Sequence, residues 1–244
     1  MIHSFLLIGQ SNMAGPGISR YSIEDDERLV GVKLLNDKDE WEDAKNPLNR
    51  YSTVKWNPNP GISPGVTFAE EIKKIYPNEE IGLVSNARGS SKIAEWQKGE
   101  LYFNEAVRRA KIAMKNASLA GILWLQGCQD APEKNDYSVY EQRFSKFIFD
   151  IREELGGQDI PFIAGEIWGD TELAPQEHQT GIFEVNEQIN KVIRCTKNCA
   201  LISTRGVEHV ACDLVHFAPE GMRVLGRRYA DKYKELFANK YIKS

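Results

Sequence analysis

The chain has 244 residues, 41% of them apolar and 27% charged, with 31 basic against 35 acidic side chains and a net charge of −4. A chain of this length buries roughly 70–75% of its unfolded surface in a single α/β domain, and the acidic balance argues against nucleic acid or an anionic membrane as its main partner. No apolar run approaches the ~20 residues of a bilayer span, and Met1-Ile2-His3 leads straight into a strand with no basic segment before it. The expected location is therefore cytoplasmic, or secreted if a leader has been removed.

Phe5 to Ile8 is a continuous apolar run that predicts a short buried strand. Gly9 permits a turn there, and Ser11 follows at the strand's carboxyl end, where ligands and chemistry collect in open parallel sheets. Ser11 is thus a candidate nucleophile, the alternative being a helix cap. An irregular excursion follows to about residue 62. Within it Val30 to Leu35 reads as a short strand, Asp37 to Trp41 as a turn returning into another, and the prolines at 47, 58, 60 and 64 forbid long regular elements. Trp41, Tyr51 and Trp56 suit either packing of this excursion onto the domain or a wall for a sugar-like ligand.

From Pro64 the pattern becomes regular. Helices are predicted at 64–75, 103–116, 138–155, 181–194 and 219–237, alternating with strands at 81–85, 120–125, 161–164 and 200–203. This alternation predicts right-handed crossovers and one parallel sheet of five main strands covered on both faces, in a single domain over residues 1–244. The strand ends collect Ser11, Gly89 and Gln126. The loop after the last strand adds Asp213-Leu214-Val215-His216, a spacing that lets the carboxylate reach the imidazole and fix its tautomer. Backbone N–H groups of Ser11 and Gly89 and the amide of Gln126 are candidate oxyanion donors; a turn glycine and a loop-capping amide are the plainer readings of the last two.

Four cysteines, at 128, 195, 199 and 212, lack the paired spacing of a zinc site and read as reduced, partly buried thiols. No metal and no cofactor is expected, since neither a phosphate-binding glycine loop nor an H-E-x-x-H motif is present.

Gly9-Gln10-Ser11-Asn12-Met13, Arg88-Gly89-Ser90-Ser91 through Glu95-Trp96, Trp124-Leu125-Gln126-Gly127, and Asp213 to His216 together resemble the SGNH hydrolase superfamily, and within it the sialate O-acetylesterase and acetylxylan esterase group. The blocks stand in that group's order across nearly the whole chain. The resemblance implies a three-layer flavodoxin-like α/β/α sandwich, a metal-free serine esterase mechanism and an acetylated carbohydrate substrate. It places the nucleophile on Ser11, the base on His216, the orienting acid on Asp213, and the oxyanion donors on Ser11, Gly89 and Gln126. Gln10, Asn12, Arg88 and Glu166 are then expected near substrate, with Trp41 and Trp56 on the leaving-group side. Two positions depart from the group's pattern: Cys128 stands where an acidic residue usually follows the third-block glycine, and Ser90 replaces the second of two adjacent glycines. A non-catalytic carbohydrate-binding protein and a hydrolase of a non-sugar ester or thioester remain as rival readings.

Overall fold

The computed structural model describes residues 1–17, 28–56, 60–211 and 215–238. Among them seven strands form one sheet in the order β3-β2-β4-β1-β5-β6-β7. The strands are β1 (Ile2–Gly9), β2 (Val32–Leu35), β3 (Trp41–Asp43), β4 (Glu80–Ser85), β5 (Ser118–Leu125), β6 (Phe162–Gly165) and β7 (Cys199–Ile202). All neighbouring pairs are parallel except β2 with β3. The expectation of five strands is corrected to seven, because the excursion after β1 contributes two strands to the sheet itself. Its first segment pairs in parallel with β4, Val32 opposite Ile81 and Leu34 opposite Leu83. Its return, Trp41–Asp43, closes that edge as an antiparallel strand.

The layers follow from alternation along β1. Phe5 and Leu7 point to one core, shared with Phe68 of α2 (Gly65–Ile75) and Tyr229 and Tyr233 of α7 (Pro219–Leu236). Leu6 and Ile8 point to the other, shared with α3 (Leu101–Ala113), α5 (Tyr140–Leu155) and α6 (Gln176–Cys195). Both faces of β1 are therefore dry, which is why its sequence is a continuous apolar run instead of an alternating one. Two short helices, α1 (Ser11–Ala14) and α4 (Lys134–Tyr137), lie in the connections. The sheet order reverses direction around β1, so the carboxyl end of β1 faces the crevice where an open sheet binds its ligand.

Candidate active site

Ser11 opens α1 directly after β1, and the turn that delivers it depends on Gly9. Gly9 has φ +134°, and a Cβ there would lie 2.3 Å from the Leu125 carbonyl oxygen. Only glycine accepts both the backbone conformation and that approach. The cap position belongs to Gln10, which makes no side-chain capping bond, so Ser11 is not the helix cap. Gln10 instead ties two strand ends together: its N–H donates to Leu125 O at 2.8 Å and its Oε1 accepts from Gly127 N–H at 2.8 Å.

His216 stands on the far side of the chain, and the fold brings its Nε2 to 3.0 Å from Ser11 Oγ. Its segment is braced as a short antiparallel pair. Val210 N–H donates to His216 O, Ala218 N–H donates to Glu208 O, and His209 lies opposite Phe217. Asn12 provides a second brace. Its Nδ2 donates to Val215 O at 3.2 Å and its Oδ1 accepts from Phe217 N–H at 3.2 Å, so one buried side chain grips the backbone on both sides of His216. Asn12, expected near substrate, has its amide oxygen and one amide N–H engaged with the segment that carries His216. Asp213, expected to orient His216, lies outside the described residues.

Gly89 is buried against Ser11, with the position of a Cβ on it 3.8 Å from Ser11 Cβ. Its loop is held by Arg88 N–H donating to Gly9 O at 2.9 Å and by Ser91 Oγ donating to Arg88 O at 2.9 Å. Ser90 adopts φ +56°, a left-handed conformation that glycine accepts most easily.

Gln126 is fully buried and behaves differently from the sequence expectation. Its Nε2 donates to Ser91 O at 2.8 Å and to Asp130 Oδ2 at 2.5 Å, while Tyr140 OH reaches its Oε1 at 3.0 Å. Both amide protons are thus committed to the loop and the carboxylate behind it, leaving none for an oxyanion. Asp130 also accepts from Ile93 N–H, and burial pushes its carboxyl up to about 6.

Of the remaining expected residues, Trp56 lies beside Gly89 with its Cβ 3.5 Å from the position of a Cβ there, and Glu166 and Trp41 are engaged elsewhere. Glu166 accepts from Ser203 Oγ at 2.7 Å and Thr204 N–H at 3.0 Å, so its carboxylate fastens the turn after β7. Arg88 donates through Nε to Tyr102 OH at 2.9 Å and lies over the exposed Trp56 ring at 4.7 Å. Trp41 packs over Gly82 at the sheet edge.

A cavity of about 240 Å³ opens beside Ser11 and His216. Gln10 and Ser90 contribute to it, and the rest of its wall comes from the loops after β5 and β6 and from α6: Cys128, Gln129, Ala131, Pro132, Trp168, His178 and Ile182, with Val215. The Cys128 thiol is pushed up to about 12, chiefly by burial, and so stays protonated and non-nucleophilic. Sequence reasoning missed Trp168 and His178. The rule that strand ends carry the site points to the loop after β6, but there Glu166 is the conspicuous residue and Trp168 reads as core; nothing local marks His178.

Residues 1–235 match the model of the family described as carbohydrate esterase, sialic acid-specific acetylesterase. The chain belongs to that family. It is similar to a protein of Arabidopsis thaliana named "Probable carbohydrate esterase", 29% identical over 175 residues that make up 65% of this chain and 66%, just under two thirds, of that relative. Among solved structures it is similar to an Arabidopsis thaliana protein with a TM-score of 0.84 at 24% identity, covering 96% of this chain and 98% of the other. NanS follows with a TM-score of 0.78 at 14% identity, covering 98% of both chains. A carbohydrate acetylesterase from Xanthomonas citri gives 0.67 at 16% identity, covering 96% of this chain and 56% of that one. At these identities the structural likenesses establish the fold, the SGNH hydrolase type anticipated from the motifs.

Proposed function

We propose that this family member is a serine esterase that removes O-acetyl groups from acetylated carbohydrate. The observation that carries the reading is the 3.0 Å contact between Ser11 Oγ and His216 Nε2 at the edge of a ligand-sized cavity. In the proposed cycle His216 takes the Ser11 hydroxyl proton as Oγ attacks the acetyl carbonyl carbon. The C–O bond to the sugar then breaks, and the sugar oxygen leaves with the proton from His216. Water attacks the acetyl-enzyme with His216 again as base, releasing acetic acid and restoring Ser11.

Backbone N–H groups of Ser11 and Gly89 are the proposed oxyanion donors, the closeness of Gly89 to Ser11 Cβ supporting that pairing. Asp213 is proposed as the acid that orients His216, and Gln10 as a group facing the bound ester. Gln126 takes a supporting part, holding the loop of Gly89 through Ser91 O.

The test is acetate release from p-nitrophenyl acetate and acetylated xylan by the parent and by Ser11→Ala. Turnover lost in a variant of unchanged melting temperature supports the reading; equal turnover in both proteins, or none in the parent, refutes it.

A further inference from the structure

Gln10 immediately precedes Ser11 and is only 4% exposed, yet it forms part of the cavity wall together with Ser11 and His216. It is held at two points to the end of β5. Its backbone N–H donates to Leu125 O, and its Oε1 accepts from Gly127 N–H, each at 2.8 Å. A backbone N–H only donates, so the second bond fixes which end of the amide is oxygen and turns the NH2 end away from Gly127. That Nε2 has no hydrogen-bonding partner among the described residues, and it is open to solvent instead of sealed in the interior. The little surface that Gln10 exposes belongs to the cavity. A buried residue thus presents a fixed, unanswered donor one position from the proposed nucleophile. Native proteins answer nearly all such groups, so its partner comes from what the cavity holds.

Three considerations select that partner. An amide NH2 gives protons and accepts none, so it faces an oxygen lone pair, and in ester cleavage the oxygen that gathers negative charge is the carbonyl oxygen. Gln126, expected to donate from the end of β5, has both amide protons committed to Ser91 O and Asp130 Oδ2. Gln10 supplies a free amide at that same strand end, resting on Gly127, the next residue after Gln126. Finally, the bond from Gly127 N–H draws electron density toward Oε1 and strengthens the NH2 as a donor, as chains of hydrogen bonds do in a low-dielectric interior.

Building on the serine-esterase reading above, we propose that Gln10 is a further catalytic residue, its Nε2 completing the oxyanion hole with the backbone N–H groups of Ser11 and Gly89. As Ser11 Oγ bonds to the acetyl carbon, its proton passes to His216 and the carbonyl π pair moves onto oxygen. Gln10 Nε2 donates to that oxygen, more strongly as the charge grows. The pair returns to re-form the carbonyl when the sugar oxygen leaves with the proton from His216, and Gln10 itself neither gains nor loses a proton. Its amide therefore serves two ends: Oε1 fastens the turn of Ser11 to β5, and Nε2 meets the reacting ester.

The experiment compares the parent with Gln10→Glu, which keeps an acceptor for Gly127 N–H and puts an oxygen in place of the NH2. With p-nitrophenyl acetate, kcat and kcat/KM should fall together by about a hundredfold or more, the cost of one oxyanion donor. Trifluoroacetone, whose addition to Ser11 Oγ leaves an oxyanion in the same place, should lose inhibitory affinity by a similar factor. A residue that only held the turn would keep its bond to Gly127 in this variant and leave all three values near those of the parent. Turnover or trifluoroacetone affinity within about threefold of the parent, or a loss confined to KM, overturns the donor while leaving the esterase reading intact. If the variant fails to fold, a crystal structure of the parent's trifluoroacetone adduct decides: Nε2 within about 3.2 Å of the adduct oxygen supports the donor, and a longer separation overturns it. No turnover of any ester by the parent overturns both readings.

Discussion

Replacing Asn12 by alanine tests whether the turn of Ser11, the proposed nucleophile, holds His216, the proposed base, in place. The variant removes two hydrogen bonds of 3.2 Å, to Val215 O and from Phe217 N–H, that flank His216. At about 1 kcal/mol net for each bond the expected loss of stability is about 2 kcal/mol, visible as a shift of the urea midpoint. The kinetic effect should be larger, because a displacement of about 1 Å between reacting groups costs on the order of 10²-fold, or about 2.7 kcal/mol of barrier. Steady-state kinetics with p-nitrophenyl acetate should therefore show kcat reduced about a hundredfold with KM nearly unchanged. Asn12→Asp keeps the acceptor for Phe217 N–H but loses the donor to Val215 O, and should fall between parent and alanine. A raised KM at normal kcat would mean that Asn12 touches substrate after all. A kcat within twofold of the parent would refute the brace altogether.

Asp130, raised to about 6 by burial, binds its proton more tightly in the folded state than unfolded, where a carboxyl titrates near 3.9. Its contribution to stability is thus present at low pH and lost as pH rises from about 4 to about 6; relative to Asp130→Asn, the parent should lose about 3 kcal/mol across that window in urea unfolding, and parallel curves would contradict the assignment. Cys128→Ala should retain ester turnover within about threefold and the parent thiol should resist iodoacetamide at pH 8, since it ionises only near 12; loss of turnover would revive a thiol nucleophile. Gly9→Ala forces a Cβ to 2.3 Å from Leu125 O at φ +134° and should cost about 3 kcal/mol or more in stability, whereas a neutral outcome would mean the turn before Ser11 relaxes freely.

The parallel sheet was legible because helices and strands alternate with unambiguous periods, and the boundaries of α2, α7 and β4 fall within a residue or two of expectation. The excursion was harder. Val32–Leu35 and Trp41–Asp43 are only four and three residues long, and their place in the sheet depends on the first pairing with β4 about fifty residues away and the second pairing with the first, which no local pattern encodes. At the site the pairing of Ser11 with His216 followed from strand ends converging. The roles of polar side chains did not follow, because a sequence names a hydrogen-bonding group without saying what it faces. Asn12, Gln126 and Glu166 are all at strand ends and all plausible against a ligand. The structure turns all three toward backbone, to Val215 and Phe217, to Ser91, and to Thr204.

That outcome suggests why the motif blocks are recognisable as a set. Gly9 O accepts from Arg88 N–H, Gln10 joins Leu125 and Gly127, Gln126 grips Ser91, and Asn12 grips the segment of His216. Each block is thus the hydrogen-bonding partner of another, and most of the residues in them carry no chemistry themselves. Catalysis by positioned groups requires reacting atoms held to a fraction of an ångström, while four separate loops at the end of an open sheet are free to move unless they are fastened to one another. Buried side-chain amides are suited to such fastening, because each supplies a donor and an acceptor at fixed separation and answers backbone groups that would otherwise be stranded away from water. A substitution such as Cys128 for an acidic residue is then accommodated because it falls on the cavity's surface, outside this network. Changes at Gln10, Asn12 or Gln126 would loosen the frame on which Ser11, Gly89 and His216 meet.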